Sequence, residues 1–187
     1  MLIPTDHPLL NAGLDHLPHP PDLKPSEPIR VLAGPQNDHF TQEAWALFLS
    51  SGFTVSRHAD RMGLRLDGER LEHIKGGADI VSDAVTPGAI QVPADGKPIV
   101  LLADCQTVGG YPKIATVISA DLPKLAHALP GQQLRFQVVT RAQADRTRLE
   151  EEALLQDLLR SIDLMPNGPD LNALYRINLI SGVFYEN

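Results

Sequence analysis

The chain has 187 residues, a hydrophobic fraction of 43% and a net charge of -7. That length supports one sizeable core with a small appendage, and the acidic balance argues against nucleic acid and an anionic membrane surface, since both select a basic face. The single cysteine, Cys105, excludes an internal disulfide, no Cys/His spacing suggests zinc, and no run has the length of a transmembrane helix, so the expected compartment is a reducing cytoplasm.

Residues 1–28 carry Pro4, Pro8, Pro18, Pro20, Pro21, Pro25 and Pro28, which remove amide donors and bar helix interiors, so a linker or N-terminal remnant is expected there. His7, His16 and His19 in this stretch match no metal-ligand template. The opening MLIPTDHPLLNAG lacks the basic start and apolar run of a secretion signal. A first strand is predicted over 29–33, closed by Gly34-Pro35. Thr41 reads as the N-cap of a helix that presents Ala44, Trp45, Leu47 and Phe48 and stops near Ser51-Gly52. Strands follow over 53–56 and 64–66, with a turn at 60–63 between them, alternating Arg65 in the second, and a hairpin signal at Asp67-Gly68. Further strands are predicted over 79–82, 89–92, 99–103, 114–119 and 134–139, with a tight turn at Asp95-Gly96. Short strands between Gly, Pro and Asp turns describe an antiparallel barrel or sandwich. The tail reads differently: residues 143–162 form a helix with Leu149, Ala153, Leu154, Leu158 and Ile162 on one face and Glu150, Glu151 and Glu152 on the solvated side. After a break at 166–169, Asp170 caps a short helix to Arg176, and residues 179–185 offer an edge strand.

The polar residues of 88–115 call for a partner, whether backbone, a neighbouring loop or a ligand, because an unpartnered polar group beside apolar strands is costly. Gln91 offers donor and acceptor together, for a substrate amide or for a turn backbone. Asp104 ends the most apolar strand, where a carboxylate serves acid–base work or accepts amides of the following turn. Arg61 presents a planar fork to a carboxylate or phosphate, or pairs with a surface acid. Gln106 and Thr107 flank the same strand, and Gly109-Gly110-Tyr111 forms a turn whose amides can cradle an anion, with Lys113 adding a charge. No Walker loop, dinucleotide fingerprint or G-x-S-x-G elbow occurs, and Cys105 has no neighbouring histidine to activate it. Arg61, Gln91 and Asp104 are the candidate catalytic residues. Gln106, Thr107, Gly109, Gly110, Tyr111 and Lys113 are the candidate binding residues, and no metal ligand is assigned. The side chains bracketing 99–103 are expected to converge at one mouth of a closed barrel.

The runs DRMGLRLDG at 60–68, GAIQVPADGKPIVLLADCQTVGGYPKIATVISADL at 88–122 and PGQQLRF at 130–136 together resemble the allophanate hydrolase subunit 2 family, as do IRVLAGPQNDHFT at 29–41 and the tail from Asp170 to Val183. That family includes the C component of the bacterial ATP-dependent 5-oxoprolinase and the carboxyltransferase region of urea carboxylase. The resemblance implies a mainly β, cyclophilin-like antiparallel barrel over 29–140, with short helices and a helical tail over 141–187. It implies opening of 5-oxoproline to L-glutamate with ATP, a small-molecule amide substrate, and the A and B components of 5-oxoprolinase as partners. Under the alternative of carboxyl transfer to urea or a similar amide, biotin would arrive on another chain, since no Met-Lys-Met attachment site occurs here. A non-catalytic protein that only binds its partners is the third reading. The family's Gln-Asp-x-Gly-Arg and Gly-Ala-Met-Asp motifs are missing, so a truncated chain with exposed apolar surface is expected.

Overall fold

The computed structural model describes residues 28–161. Its strands are β1 (Ile29–Ala33), β2 (Phe53–Val55), β3 (Gly63–Asp67), β4 (Asp83–Ala84), β5 (Ala89–Gln91), β6 (Ile99–Leu101), β7 (Val108–Gly109), β8 (Lys113–Val117), β9 (Gln133–Leu134) and β10 (Phe136–Val138). Its helices are α1 (Gln42–Ser50), α2 (Leu122–Ala126) and α3 (Arg141–Ser161). The expected linker before residue 28, and the helix and edge strand after 169, lie outside the described residues. Everything from β1 to Glu151 belongs to one compact unit, and residues 152–161 of α3 belong to a second. No described helix is long and apolar enough to cross a membrane.

Eight strands form one sheet in the order β10-β1-β8-β5-β6-β3-β2-β9. The two edge strands are consecutive in the chain, separated by Arg135 alone, so the segment 133–138 bonds to both ends of the sheet and draws it into a nearly closed barrel. Between them, the Arg135 carbonyl accepts from the Ile29 amide at 2.7 Å. The fold is the expected mainly β barrel, with one departure from a purely antiparallel one: β1 pairs with β10 in parallel. Counting β9 and β10 as one continuous run leaves an odd number of strands around the ring. Strand directions cannot alternate all the way round an odd ring, so one parallel pair is unavoidable.

Alternation sorts the side chains into two apolar layers. Leu64, Leu66, Ile90, Val92 and Val100 face the main core with Ile29, Val31 and Ile114. The intervening positions Ala89, Ile99 and Leu101 face outward and pack with Val85 and Cys105 in a smaller cluster. α1 closes the main core. Thr41 caps it, with Oγ1 accepting from the Ala44 amide at 3.1 Å. Phe48 then stacks on Phe136 at a ring separation of 4.7 Å. Each such fully buried side chain contributes about 1.5–3 kcal/mol.

Three other expectations differ from the structure. Residues 79–82 form no strand; Val81 is 93% exposed, and pairing starts at Asp83, where β4 and β7 make a separate two-stranded ribbon. Asp67-Gly68 turns no hairpin, because β3 pairs with β2 and β6 rather than with the next strand. β6 ends at Leu101, after which the Leu102 and Asp104 amides donate to the carbonyls of Met62 and Arg61 while Cys105 turns back onto Leu102. α2 follows a 3-10 turn at Ser119–Asp121 and places Pro123 in its first turn, a start signal too short for sequence periodicity to reveal. α3 begins behind a reciprocal cap: Gln143 donates its amide to Thr140 Oγ1 at 3.3 Å, and Gln143 Oε1 accepts from the Thr140 amide at 2.8 Å. The leucines assigned to its apolar face are mostly exposed, Leu149 at 59% and Leu154 at 55%; Ile162 lies outside the described residues.

Candidate functional site

Strand register aligns one row of side chains across the outer wall of the barrel. Arg65 on β3 lies opposite Ile99 on β6, Ile99 lies opposite Gln91 on β5, and Gln91 lies opposite Lys113 on β8. Directly opposed residues of antiparallel strands point to the same face, so these four stand side by side. A register shift between Ile90 and Gln91 brings Lys113 into the row. The β4–β7 ribbon covers part of this wall, with Val85, just after β4, packing on Ala89 and Leu101.

Gln91 is 2% exposed and its Nε2 donates to the Tyr111 carbonyl at 3.4 Å. Its carboxamide rests against Gly109, where an added Cβ would lie 2.5 Å from Nε2. Gly109 is therefore a glycine for close approach, with no unusual backbone angle required. Gln91, Gln106 and Tyr111 line a cavity of about 170 Å³ together with Arg65, Asp60 and Met62, floored by Ile99 and Leu101. Asp60 Oδ1 accepts from the Met62 and Gly63 amides at 2.8 and 3.0 Å and so fixes the turn that forms one side of the cavity.

Lys113 is the buried cation of the row. Its side chain is 4% exposed, and Nζ donates to Asp83 Oδ2 at 2.7 Å and to the Ala84 carbonyl at 3.1 Å. The Lys113 hydrogen bond, helped by the Ala84 amide and Gln36, holds the Asp83 carboxyl below its ordinary range. This ammonium ties the ribbon to the barrel. Thr107 and Gly110 serve the same ribbon through their backbones: the Thr107 carbonyl accepts from Val85 at 3.0 Å and the Gly110 carbonyl from Ile80 at 2.9 Å.

Arg61 and Asp104 meet elsewhere. Arg61 Nε lies 2.8 Å from Asp104 Oδ2, with the two side chains 88% and 45% exposed. A pair so open to water adds little stability. It stands at the edge of a larger apolar cleft of about 460 Å³ walled by Pro87, Leu102, Leu122 and Pro123. The Asp60–Gly63 turn thus contributes to both cavities, Arg61 to the larger, and Asp60, Met62 and Gly63 to the smaller. The structure gathers Gln91, Gln106 and Tyr111 around one cavity, with Gly109 against the Gln91 carboxamide, and Arg61 with Asp104 at another. The smaller cavity lies on the outer wall, not at a barrel mouth, because Gln91 falls on the outward side of the alternation. Sequence reasoning does not select Arg65 or Asp83. The apolar-charged alternation of Leu64-Arg65-Leu66 is a signal that Arg65 faces out; nothing local to Asp83 points to Lys113.

A family model described as "Carboxyltransferase domain, subdomain A and B" matches residues 5–138, which include every residue of both cavities. The chain belongs to this carboxyltransferase-domain family. Among its relatives is the 5-oxoprolinase C subunit of Haemophilus influenzae, 38% identical over 72% of this chain and 43% of the relative. The Escherichia coli protein of the same name is 36% identical over 70% of this chain and 42% of that protein. This carboxyltransferase-domain chain therefore spans less than half the length of the curated relatives it matches. The urea amidolyase of K. lactis superposes with a TM-score of 0.66 over 70% of this chain and 8% of that one, at 22% identity, which supports the barrel fold alone.

Proposed function

We propose that this carboxyltransferase-domain chain acts as the C component of an ATP-dependent 5-oxoprolinase, opening 5-oxoproline to L-glutamate together with the A and B components. The observation that carries this reading is the Gln91 carboxamide, 2% exposed and set in a small polar cavity. A lactam presents a carbonyl and an N–H side by side. A carboxamide presents the complementary donor and acceptor, so one side chain holds both substrate atoms and fixes the plane of the ring. The identity to proteins named as the C subunit of 5-oxoprolinase supports the same substrate class.

In this reading Gln91 orients the lactam, with Gln106 and Tyr111 completing the polar wall and Gly109 making room for the carboxamide. Arg61, engaged with Asp104 through Nε, turns the rest of its guanidinium toward a carboxylate or phosphate brought to the larger cleft. Asp104 positions that guanidinium and the turn after β6, or acts as base. ATP, bound with the partner proteins, supplies the free energy for opening the ring. Water adds to the lactam carbonyl carbon, the C–N bond breaks, and the nitrogen takes up a proton as the amine of glutamate.

The test combines this chain with the A and B components and follows ATP-dependent glutamate release from 5-oxoproline. Release is expected only with the chain present. Gln91→Ala is expected to lower kcat/KM by roughly tenfold to a hundredfold, the worth of a lost polar anchor in a desolvated site. Full activity without this chain, or turnover of urea that demands a biotinylated partner, would replace the proposal.

A further inference from the structure

The row across the outer wall has a cation at each end, and the two have different fates. Lys113 is spent on Asp83 and the Ala84 carbonyl. Arg65 lines the same cavity as Gln91, yet among the described residues no acid or carbonyl engages its guanidinium. The acid that shares the cavity, Asp60, holds its Oδ1 on the Met62 and Gly63 amides. Asp67, two residues along β3, pairs instead with Lys97 at 2.8 Å.

Register gives the spacing. Arg65 and Gln91 share Ile99 as their common cross-strand neighbour, so their backbones stand two strand intervals apart, about 10 Å. A small ligand lying on Ile99 spans that gap, with Gln91 at one end and the planar fork of Arg65 at the other. In 5-oxoproline the carboxylate stands on the ring carbon next to the amide nitrogen, so a ring whose amide meets the Gln91 carboxamide carries its carboxylate beside that contact, where a long guanidinium side chain reaching across Ile99 meets its favoured partner.

We propose that Arg65 binds the carboxylate of the substrate while Gln91 binds its amide, so that the smaller cavity selects small amides carrying a carboxylate over uncharged amides. This rests on the reading of that cavity as the amide site. It makes Arg65 the specificity residue that separates an amide such as 5-oxoproline from a neutral one such as urea. Asp60 then sharpens the choice: its carboxylate on the cavity wall disfavours an anion placed anywhere but against Arg65.

The experiment compares 5-oxoproline with 2-pyrrolidinone, the same ring without its carboxylate, using the chain assembled with its partner proteins. Arg65→Met is expected to cut the preference for 5-oxoproline, as the ratio of the two kcat/KM values, by roughly tenfold to a hundredfold, and Arg65→Lys to restore part of it. A merely structural role for Arg65 would lower both substrates together and leave the ratio unchanged, which would overturn the inference. Gln91→Ala serves as the separate arm, with loss on both substrates expected. If Gln91→Ala impairs turnover and Arg65→Met leaves the ratio alone, Arg65 is not the carboxylate site and the amide reading survives. If neither variant changes turnover of either ring, or the wild-type assembly turns over neither, the cavity is not the amide site and both ideas fall.

Discussion

Gln91 is buried beside three apolar residues, Ala89, Ile90 and Val92, and that context alone marks it as a side chain in need of a partner. What the structure adds is the reason for its neighbour. Gly109 has an ordinary backbone, so alanine would fit its conformation, but the added Cβ would lie 2.5 Å from Gln91 Nε2. Gly109→Ala is therefore expected to displace the carboxamide rather than unfold the ribbon. Activity should fall about as far as in Gln91→Ala, by roughly tenfold to a hundredfold. The Gln91→Ala, Gly109→Ala double variant should be no worse than either single change, because both remove the same group. Additive losses in such a double-mutant cycle would show that Gly109 acts by another route. Asp121 illustrates the contrasting, structural kind of polar residue. It is completely buried; burial alone would raise its pKa, but hydrogen bonds from the Arg30 side chain and amide, with help from Lys124, outweigh that and hold the carboxyl below its ordinary range. Its oxygens take Arg30 donors at 2.7 to 2.9 Å and leave nothing for a ligand to meet.

At the scale of elements, the β4–β7 ribbon is the part whose position depends on charge. It pairs over two residues a side and leaves Val108 exposed, so little apolar burial secures it. The Lys113–Asp83 contact takes over that role. Because the folded state holds the Asp83 carboxyl below its unfolded value, the contact is intact above the unfolded carboxylate range, near pH 4, and is lost as pH falls through the lower folded value. Amide exchange of Ile80 and Val85, the two residues that flank β4 and bond across to Gly110 and Thr107, reports the ribbon directly. In Asp83→Asn their exchange should quicken by about tenfold or more near neutral pH, and the extra opening on acidification below about pH 4 seen in the wild type should disappear. Unchanged exchange in that variant would mean that apolar packing through Val85 holds the ribbon by itself.

For the whole molecule, closure of the barrel runs through one short segment. Residues 133–138 bond to β2 on one side and β1 on the other, and Phe136 at its centre packs against Phe48 and Phe53. Phe136→Ala removes a 3% exposed ring from that seam and should cost about 3–5 kcal/mol in a urea unfolding experiment; a loss under 1 kcal/mol would place the main seam elsewhere. The strands themselves are legible because alternation and turn residues are carried by chain neighbours, and the motif runs at 60–68 and 88–122 point to the family for the same local reason. The helix caps at Thr41 and the start of α3 also belong to single short stretches. The ribbon, α2 and the exposed leucines of α3 escape such reading because two-residue strands and one-turn helices have no period, and because an apolar helix face does not by itself say that anything covers it. Which polar residues share a cavity was decided only by tertiary structure. The row of Arg65, Ile99, Gln91 and Lys113 exists through register between separate strands, and a slip of one residue would turn Gln91 into the core. Arg61 and Asp104 are drawn together, and apart from Gln91, by the turn between β2 and β3 meeting the end of β6. Sequence by itself therefore determined the longer strands, α1 and the family, since these reside in contiguous residues; the fold decided the short elements and the site, since pairing across the barrel wall sets which distant side chains meet.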